Sequence, residues 1–358
     1  LEDFDLVVEA HGRFLFPSFV DTHTHLVFAA SREKEYVDRI HGLSYEEIAA
    51  RGGGILNSAA AMATADEDVL YIEACRRMRE IIGMGTGAVE IKSGYGLSTE
   101  SELKMLRVIR RLSESFPIPV KATFLGAHAY PAAYKTDHEG YLRLLEDEMI
   151  PKVVAQGIAT YFDVFCDRGF FSPEETERLA QKAKRAGLKV RLHANELGLT
   201  GGVQVGVKVG AISVDHLEYT SAAERTLLKN SNTIPTLLPG TAFFLGIPYP
   251  DARAMIEEGL PVVLASDYNP GSCPSGNMPF ILSLACTRMR MTPEEALNAA
   301  TYNASFALEL QDDVGSITKG KLANLWLSHP MPSLAFLPYA FGSNLVDRIW
   351  LNGREYTP

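Results

Sequence analysis

The strongest constraint on this chain is a rhythm. Eight short apolar, β-branched runs lie at 19–28, 87–93, 120–128, 161–166, 189–196, 212–219, 233–239 and 261–267. Stretches with helical periodicity separate them, at about 68–83, 99–115, 139–155, 173–186, 199–209, 221–230 and 251–259. Two more follow the eighth run, at about 278–290 and 293–309. Strands that alternate with helices form parallel sheets covered on both faces. Eight such units in 358 residues fit an α/β fold, a TIM-like (β/α)8 barrel, better than a doubly wound open sheet. The deciding sign is that polar residues collect at the ends of many runs and not at one switch point.

Local signals agree with this rhythm. Ser172-Pro173-Glu174-Glu175 and Thr292-Pro293-Glu294-Glu295 each place a hydroxyl cap before proline and first-turn acids. Ser98, followed by Glu100 and Glu102, is a weaker start of the same kind. Gly187 and Gly259 close helices. The tail changes character. It is turn-rich at 315–321 and has short apolar runs at 325–327 and 348–351, the second followed by a hairpin signal, Asn352-Gly353. Residues 1–18 also read as short strands, so the two ends are expected to meet. The expected organisation is an N-terminal piece of a small β-subdomain at 1–18, a barrel at 19–312, and the rest of the subdomain at 313–358. The first residue is Leu, so the chain is expected to begin inside a longer gene product, with 1–18 the end of a truncated set of strands.

Composition narrows the function. The net charge of −10 argues against nucleic acid, whose phosphates demand a basic stripe. No apolar run is long enough for a membrane span, and the start is no signal peptide. Cys75, Cys166, Cys273 and Cys286 are far apart, which points to a reducing cytoplasm and not to a disulfide framework. Gly83-Met84-Gly85-Thr86-Gly87-Ala88 has the form of a dinucleotide loop but precedes a strand instead of following one. No phosphate-binding loop and no serine-nucleophile elbow occur.

The chemistry lies at the strand ends. In Asp21-Thr22-His23-Thr24-His25, residues two apart on a strand face the same side, so both imidazoles can reach one metal ion. Leu192-His193-Ala194-Asn195-Glu196, Val214-Asp215-His216-Leu217-Glu218 and Ser266-Asp267-Tyr268-Asn269-Pro270-Gly271 end three further runs with ligand-type residues. Imidazoles and a carboxylate with one open position suit a catalytic Zn2+ or Fe2+ that activates water.

With these residues the chain resembles the amidohydrolase superfamily, and within it the imidazolonepropionases. The resemblance adds Ser31-Arg32, Arg51-Gly52-Gly53-Gly54-Ile55, Glu90-Ile91-Lys92-Ser93-Gly94-Tyr95-Gly96-Leu97 and Leu125-Gly126-Ala127-His128-Ala129, in order along the chain. It implies hydrolysis of 4-imidazolone-5-propanoate to N-formimino-L-glutamate. It implies that His23, His25, His193 and Asp267 hold one metal ion, and that Asp267 also accepts the water's proton. His216 is implied to stabilise the oxyanion, and Glu196 to contact the ring nitrogens and shuttle a proton. Arg32 is implied to bind the propionate. Tyr95, His128, Asn269, Gly271 and Ser272 are implied to contact substrate, and Arg51–Gly54 to form a lid. A homodimer is implied as well. Lys92 reads as a buried, paired lysine. Binuclear relatives carry a lysine where strand four here ends Phe165-Cys166-Asp167, so one metal is expected; Asp167 stands where the family usually has Glu. The alternatives are an aminohydrolase acting on a purine or pyrimidine ring, which needs no carboxylate clamp, and an inactive barrel kept for protein contacts.

Overall fold

The computed structural model describes residues 7–43, 47 and 53–357. Arg51 and Gly52 of the expected lid lie outside the described residues, as does the start of the N-terminal piece. After an outer strand β1 (Leu15–Pro17), the barrel strands are β2 (Phe19–Asp21), β3 (Thr86–Lys92), β4 (Val120–Ala127), β5 (Tyr161–Cys166), β6 (Lys189–Ala194), β7 (Ser213–His216), β8 (Ile234–Leu237) and β9 (Val263–Leu264). They lie side by side in chain order, all parallel. β9 returns to β2 through a parallel bridge between Thr24 and Tyr268, with His25 N–H donating to Tyr268 O at 2.9 Å and Asp267 N–H to His23 O at 3.0 Å. The fold is a nearly closed eight-stranded α/β barrel.

The helix signals act as the sequence suggests. Ser172 and Thr292 form reciprocal capping boxes with Glu175 and Glu295. The differences lie where side chains replace the ladder. The first run leaves the sheet at Asp21, and the last is a strand for only two residues. Here the Asp21 carboxylate accepts from Ser266 N–H at 3.0 Å and Ser266 Oγ at 2.5 Å, tying the two chains by side chain. The stretch 233–239 ends as a strand at Leu237, because Pro239 opens a helix, Pro239–Leu245. The stretch 293–309 is two helices, Pro293–Ala299 and Tyr302–Ala307, broken at Thr301. Helices Glu33–Ile40 and Ile55–Thr64, in the long connection after β2, carried no clear sequence signal.

The ends of the chain meet in an antiparallel sheet ordered β1, β10 (Leu325–Ser328), β11 (Val346–Leu351) and β12 (Arg354–Tyr356). Its joint with the barrel is aromatic. Trp326 is fully buried, with its ring centroid 4.4 Å from Phe16 and 5.7 Å from Phe19. Asn324 completes the joint, its main-chain carbonyl accepting from Ser18 N–H and its side-chain NH2 donating to Gly87 O. Trp326→Ala should therefore lower unfolding free energy by about 3–5 kcal/mol, read from urea midpoints. A loss under about 1 kcal/mol would mean the small sheet does not brace the barrel.

Candidate active site

Four ligand-type atoms converge at the mouth of the barrel. His25 Nε2 lies 3.3 Å from His23 Nε2 and 3.4 Å from His193 Nε2. Asp267 Oδ1 lies 3.5 Å from His23 Nε2 and 3.6 Å from His25 Nε2. All four side chains are buried. Asp267 reaches the cluster from a left-handed backbone, φ 56°, and Asn195, His216 and Leu217 beside it also have positive φ.

Protons cannot satisfy this cluster. His23 Nδ1 is 2.7 Å from Asp215 Oδ2, and His193 Nδ1 is 3.0 Å from Asp163 Oδ2. A carboxylate only accepts, so each Nδ1 carries the hydrogen and each Nε2 turns a lone pair inward. Burial, with Lys92 and the other histidines beside it, holds the His23 ring well below its ordinary pKa; burial and His128 do the same for His25. His23 and His25 are therefore neutral rings, and together with the Asp267 oxygen the cluster turns nitrogen and oxygen lone pairs toward one point. Ligand atoms about 2.1 Å from a tetrahedral ion are about 3.4 Å apart, close to the separations here. The donor set therefore fits a divalent metal ion.

The layer beneath is ionic and closed to water. Lys92 Nζ bonds Glu90 at 2.8 Å and Asp163 at 2.9 Å, so it is buried and paired as its sequence context suggests. Arg191, fully buried, reaches Ala307 O at 2.8 Å, Thr22 O at 3.0 Å and Asp215 at 3.4 Å. The carboxylates behind His23 and His193 are thus each held by a cation. Sequence reading did not single out Asp163 or Arg191. Their sign was a charge inside a barrel strand, which is costly unless paired.

Around the cluster lies the rest of the mouth. His216 stands between two buried carboxylates, with Nε2 3.7 Å from Glu196 and Nδ1 3.6 Å from Glu218. Burial opposes its charged form, but Glu196 and Glu218 prevail and raise its pKa to about 10. Burial pushes Glu196 up to about 7. Asp167 accepts N–H bonds from Leu197 at 2.9 Å and Arg168 at 2.7 Å, so the shorter acid anchors the chain that carries Glu196. Tyr95 and His128 close the opposite side, with ring centroids 5.7 Å and 5.2 Å from His25. The Arg32 side chain is only 7% exposed, with Nε and Nη2 on Glu35 at 2.9 and 2.6 Å. Glu35, unnoticed in the sequence, also accepts Gly54 N–H at 3.0 Å and so ties Arg32 to the expected lid. A Cβ on Gly271 would sit 2.2 Å from Arg32 Nη1. Asn269 uses its amide within its own turn, donating to Asp267 O and Ser272 Oγ and accepting from Gly271 and Ser272 N–H.

Comparison with known proteins follows this geometry. The Amidohydrolase family matches residues 14–355. The imidazolonepropionases of Christiangramia forsetii and Flavobacterium johnsoniae are each 51% identical over 350 residues, covering 98% of this chain and 85% of theirs. That of Alkaliphilus metalliredigens is 41% identical, covering 98% and 83%. The chain belongs to the amidohydrolase family, in its imidazolonepropionase branch. Solved structures share the fold at low identity. An adenosine deaminase from Xanthomonas campestris, with bound zinc, has a TM-score of 0.70 at 17% identity, covering 96% of this chain and 80% of its own. A guanine deaminase from C. acetobutylicum, with guanine in its active site, has a TM-score of 0.69 at 18% identity, covering 96% and 87%. No helix among the described residues of this amidohydrolase is long and apolar enough to cross a membrane.

His128 supplies a pH signature. Burial and the neighbouring His193 lower its pKa to about 3, whereas a histidine in the unfolded chain titrates near 6.5. Between these values the unfolded chain binds a proton that the folded chain refuses, so this residue's contribution to stability falls as pH drops below about 6.5. In metal-free samples, moving from pH 7.5 to 5.5 should cost wild type about 1 kcal/mol more than His128→Gln in urea unfolding. Parallel profiles would contradict the neutral, buried ring.

Proposed function

We propose that this amidohydrolase cleaves the ring amide C–N bond of 4-imidazolone-5-propanoate, giving N-formimino-L-glutamate in the third step of histidine degradation. The carrying observation is a cage of ligand atoms sharing one buried mouth with a guanidinium. Ser272 Oγ is 3.4 Å from Asp267, and the adjacent Gly271 packs on Arg32. The relatives' name, at 41–51% identity, supports the same substrate.

In this reading His23, His25, His193 and Asp267 hold one divalent ion, Zn2+ or Fe2+. When bound, such an ion supplies a Lewis acid that polarises a carbonyl and brings the pKa of water towards 7. Asp267, its second oxygen held by the hydroxyls of Thr241 and Ser272, takes the proton released as water adds to the ring carbonyl. His216, kept cationic by Glu196 and Glu218, presents N–H to the developing oxyanion. Glu196, protonated at the start, sits on the ring nitrogens and gives its proton to the departing nitrogen, so the amide opens as acid and amidine; the proton taken by Asp267 then restores Glu196. Arg32 binds the propionate through the edge that Glu35 leaves free, with Tyr95, His128, Gly271 and Ser272 around it and Asn269 shaping the turn. The family resemblance carries a cytoplasmic homodimer into the same proposal.

Loss of imidazolone propionate absorbance tests the reading directly. Chelation should abolish turnover, and Zn2+ or Fe2+ should restore it with one ion per chain; adenine and guanine should not be turned over. Asp215→Ala, which strips His23 of its acceptor, should weaken metal affinity about 10–100-fold by titration. Arg32→Ala should raise KM at least about tenfold with kcat little changed. A change within about threefold would remove Arg32 from the carboxylate clamp.

A further inference from the structure

Glu102 is a buried acid with no task in the reaction above. It lies in the first turns of helix Thr99–Ser115 and is 0% exposed. Its spacing from Ser98 suggests a helix-start residue, but Ser98 does the capping, accepting Ser101 N–H at 3.4 Å. The Glu102 carboxylate points the other way, into the loop after β3. Oε2 accepts Gly94 N–H at 3.0 Å, and Oε1 accepts Gly96 N–H and Leu97 N–H, both at 2.8 Å. Three main-chain dipoles thus replace the water that burial removed.

The loop is built around this carboxylate. Gly94 has φ +113° and Leu97 φ 50°, and a Cβ on Gly96 would lie 2.6 Å from Glu102 N and 2.8 Å from its Oε1. Glycine is needed at both positions, one for the conformation and one for the close approach. Between them stands Tyr95, whose ring is 5.4 Å from that of His128. Gly94 is held at both ends. Its N–H goes to Glu102, and its C=O is 2.9 Å from His128 Nδ1. A carbonyl only accepts, so Nδ1 carries the hydrogen and the His128 Nε2 lone pair is left for a ligand.

We propose that Glu102 is a positioning residue of the substrate pocket: through the Gly94–Leu97 loop it places Tyr95 and fixes the tautomer of His128. The inference rests on the reading of Tyr95 and His128 as substrate contacts.

The test begins on the wild-type holoenzyme. The amides of Gly94, Gly96 and Leu97 should exchange with deuterium as slowly as those of the barrel strands, and 15N shifts should show His128 in the Nδ1–H form. Fast exchange at these amides would overturn the proposal without any variant. Glu102→Gln keeps one oxygen for Gly96 and Leu97 but turns an NH2 towards Gly94 N–H, which frees that peptide. His128 should then show mixed tautomers. KM for imidazolone propionate should rise about tenfold, with a smaller change in kcat. In a Tyr95→Phe background the same substitution should cost less than in wild type. A lowered melting temperature with unchanged tautomer and KM would make Glu102 a purely structural acid. If wild type does not turn over this substrate, the function fails, while exchange and tautomer still decide whether Glu102 orders the loop.

Discussion

Most of this structure answers one electrostatic problem. Imidazole nitrogens of His23, His25 and His193 and an oxygen of Asp267 are packed within 3.3–3.6 Å of their neighbours in a buried space. Lone pairs so close repel, and the hydrogens that could relieve them are committed to Asp215 and Asp163 on the far side of two rings. A divalent cation resolves the conflict, and the rest of the barrel keeps it from being resolved by collapse or by protonation.

The layer below shows how. Lys92 and Arg191 inside a barrel are costly to desolvate, and a hydrophobic filling is often as stable. What the charges give in return is direction. Each holds one of the carboxylates that fix His23 and His193, so ring orientation follows from the strand register of β3, β5, β6 and β7. Oriented carboxylates also fix the tautomer, which a hydrophobic layer could not do. The layer above follows the same logic with backbone groups. Glu102, Glu35 and Asp167 each accept main-chain N–H bonds from the loops that carry Tyr95, the Gly54 turn and Glu196. Loops are mobile by default. Here buried acids pin them to the frame.

Legibility in the sequence followed the range of the interaction. The βα rhythm, the Ser172 and Thr292 caps and the Asn352-Gly353 hairpin are local, and all appear at their expected places. The ends of β2 and β9 were misjudged because Asp21 and Ser266, 245 residues apart, replace the ladder there. Helices Glu33–Ile40 and Ile55–Thr64 were missed because they lie in a long connection with no strand rhythm to frame them. Of the candidate site, His23, His25, His193, Asp267 and Arg32 stood out in the sequence by residue type, and the fold brings the first four within ligand distance of their neighbours. Their supports did not stand out, since Glu102 looks like any first-turn glutamate and Glu35 like any exposed helix acid.

The sequence by itself determined the barrel, the meeting of the chain ends and the family, because periodicity and short motifs are carried by neighbouring residues. Only the tertiary structure decided which nitrogen of each histidine faces the cage, which edge of Arg32 Glu35 occupies, and which acids serve loops instead of helices. Those choices depend on partners brought from distant strands, and a hydrogen bond has a direction that no linear spacing records.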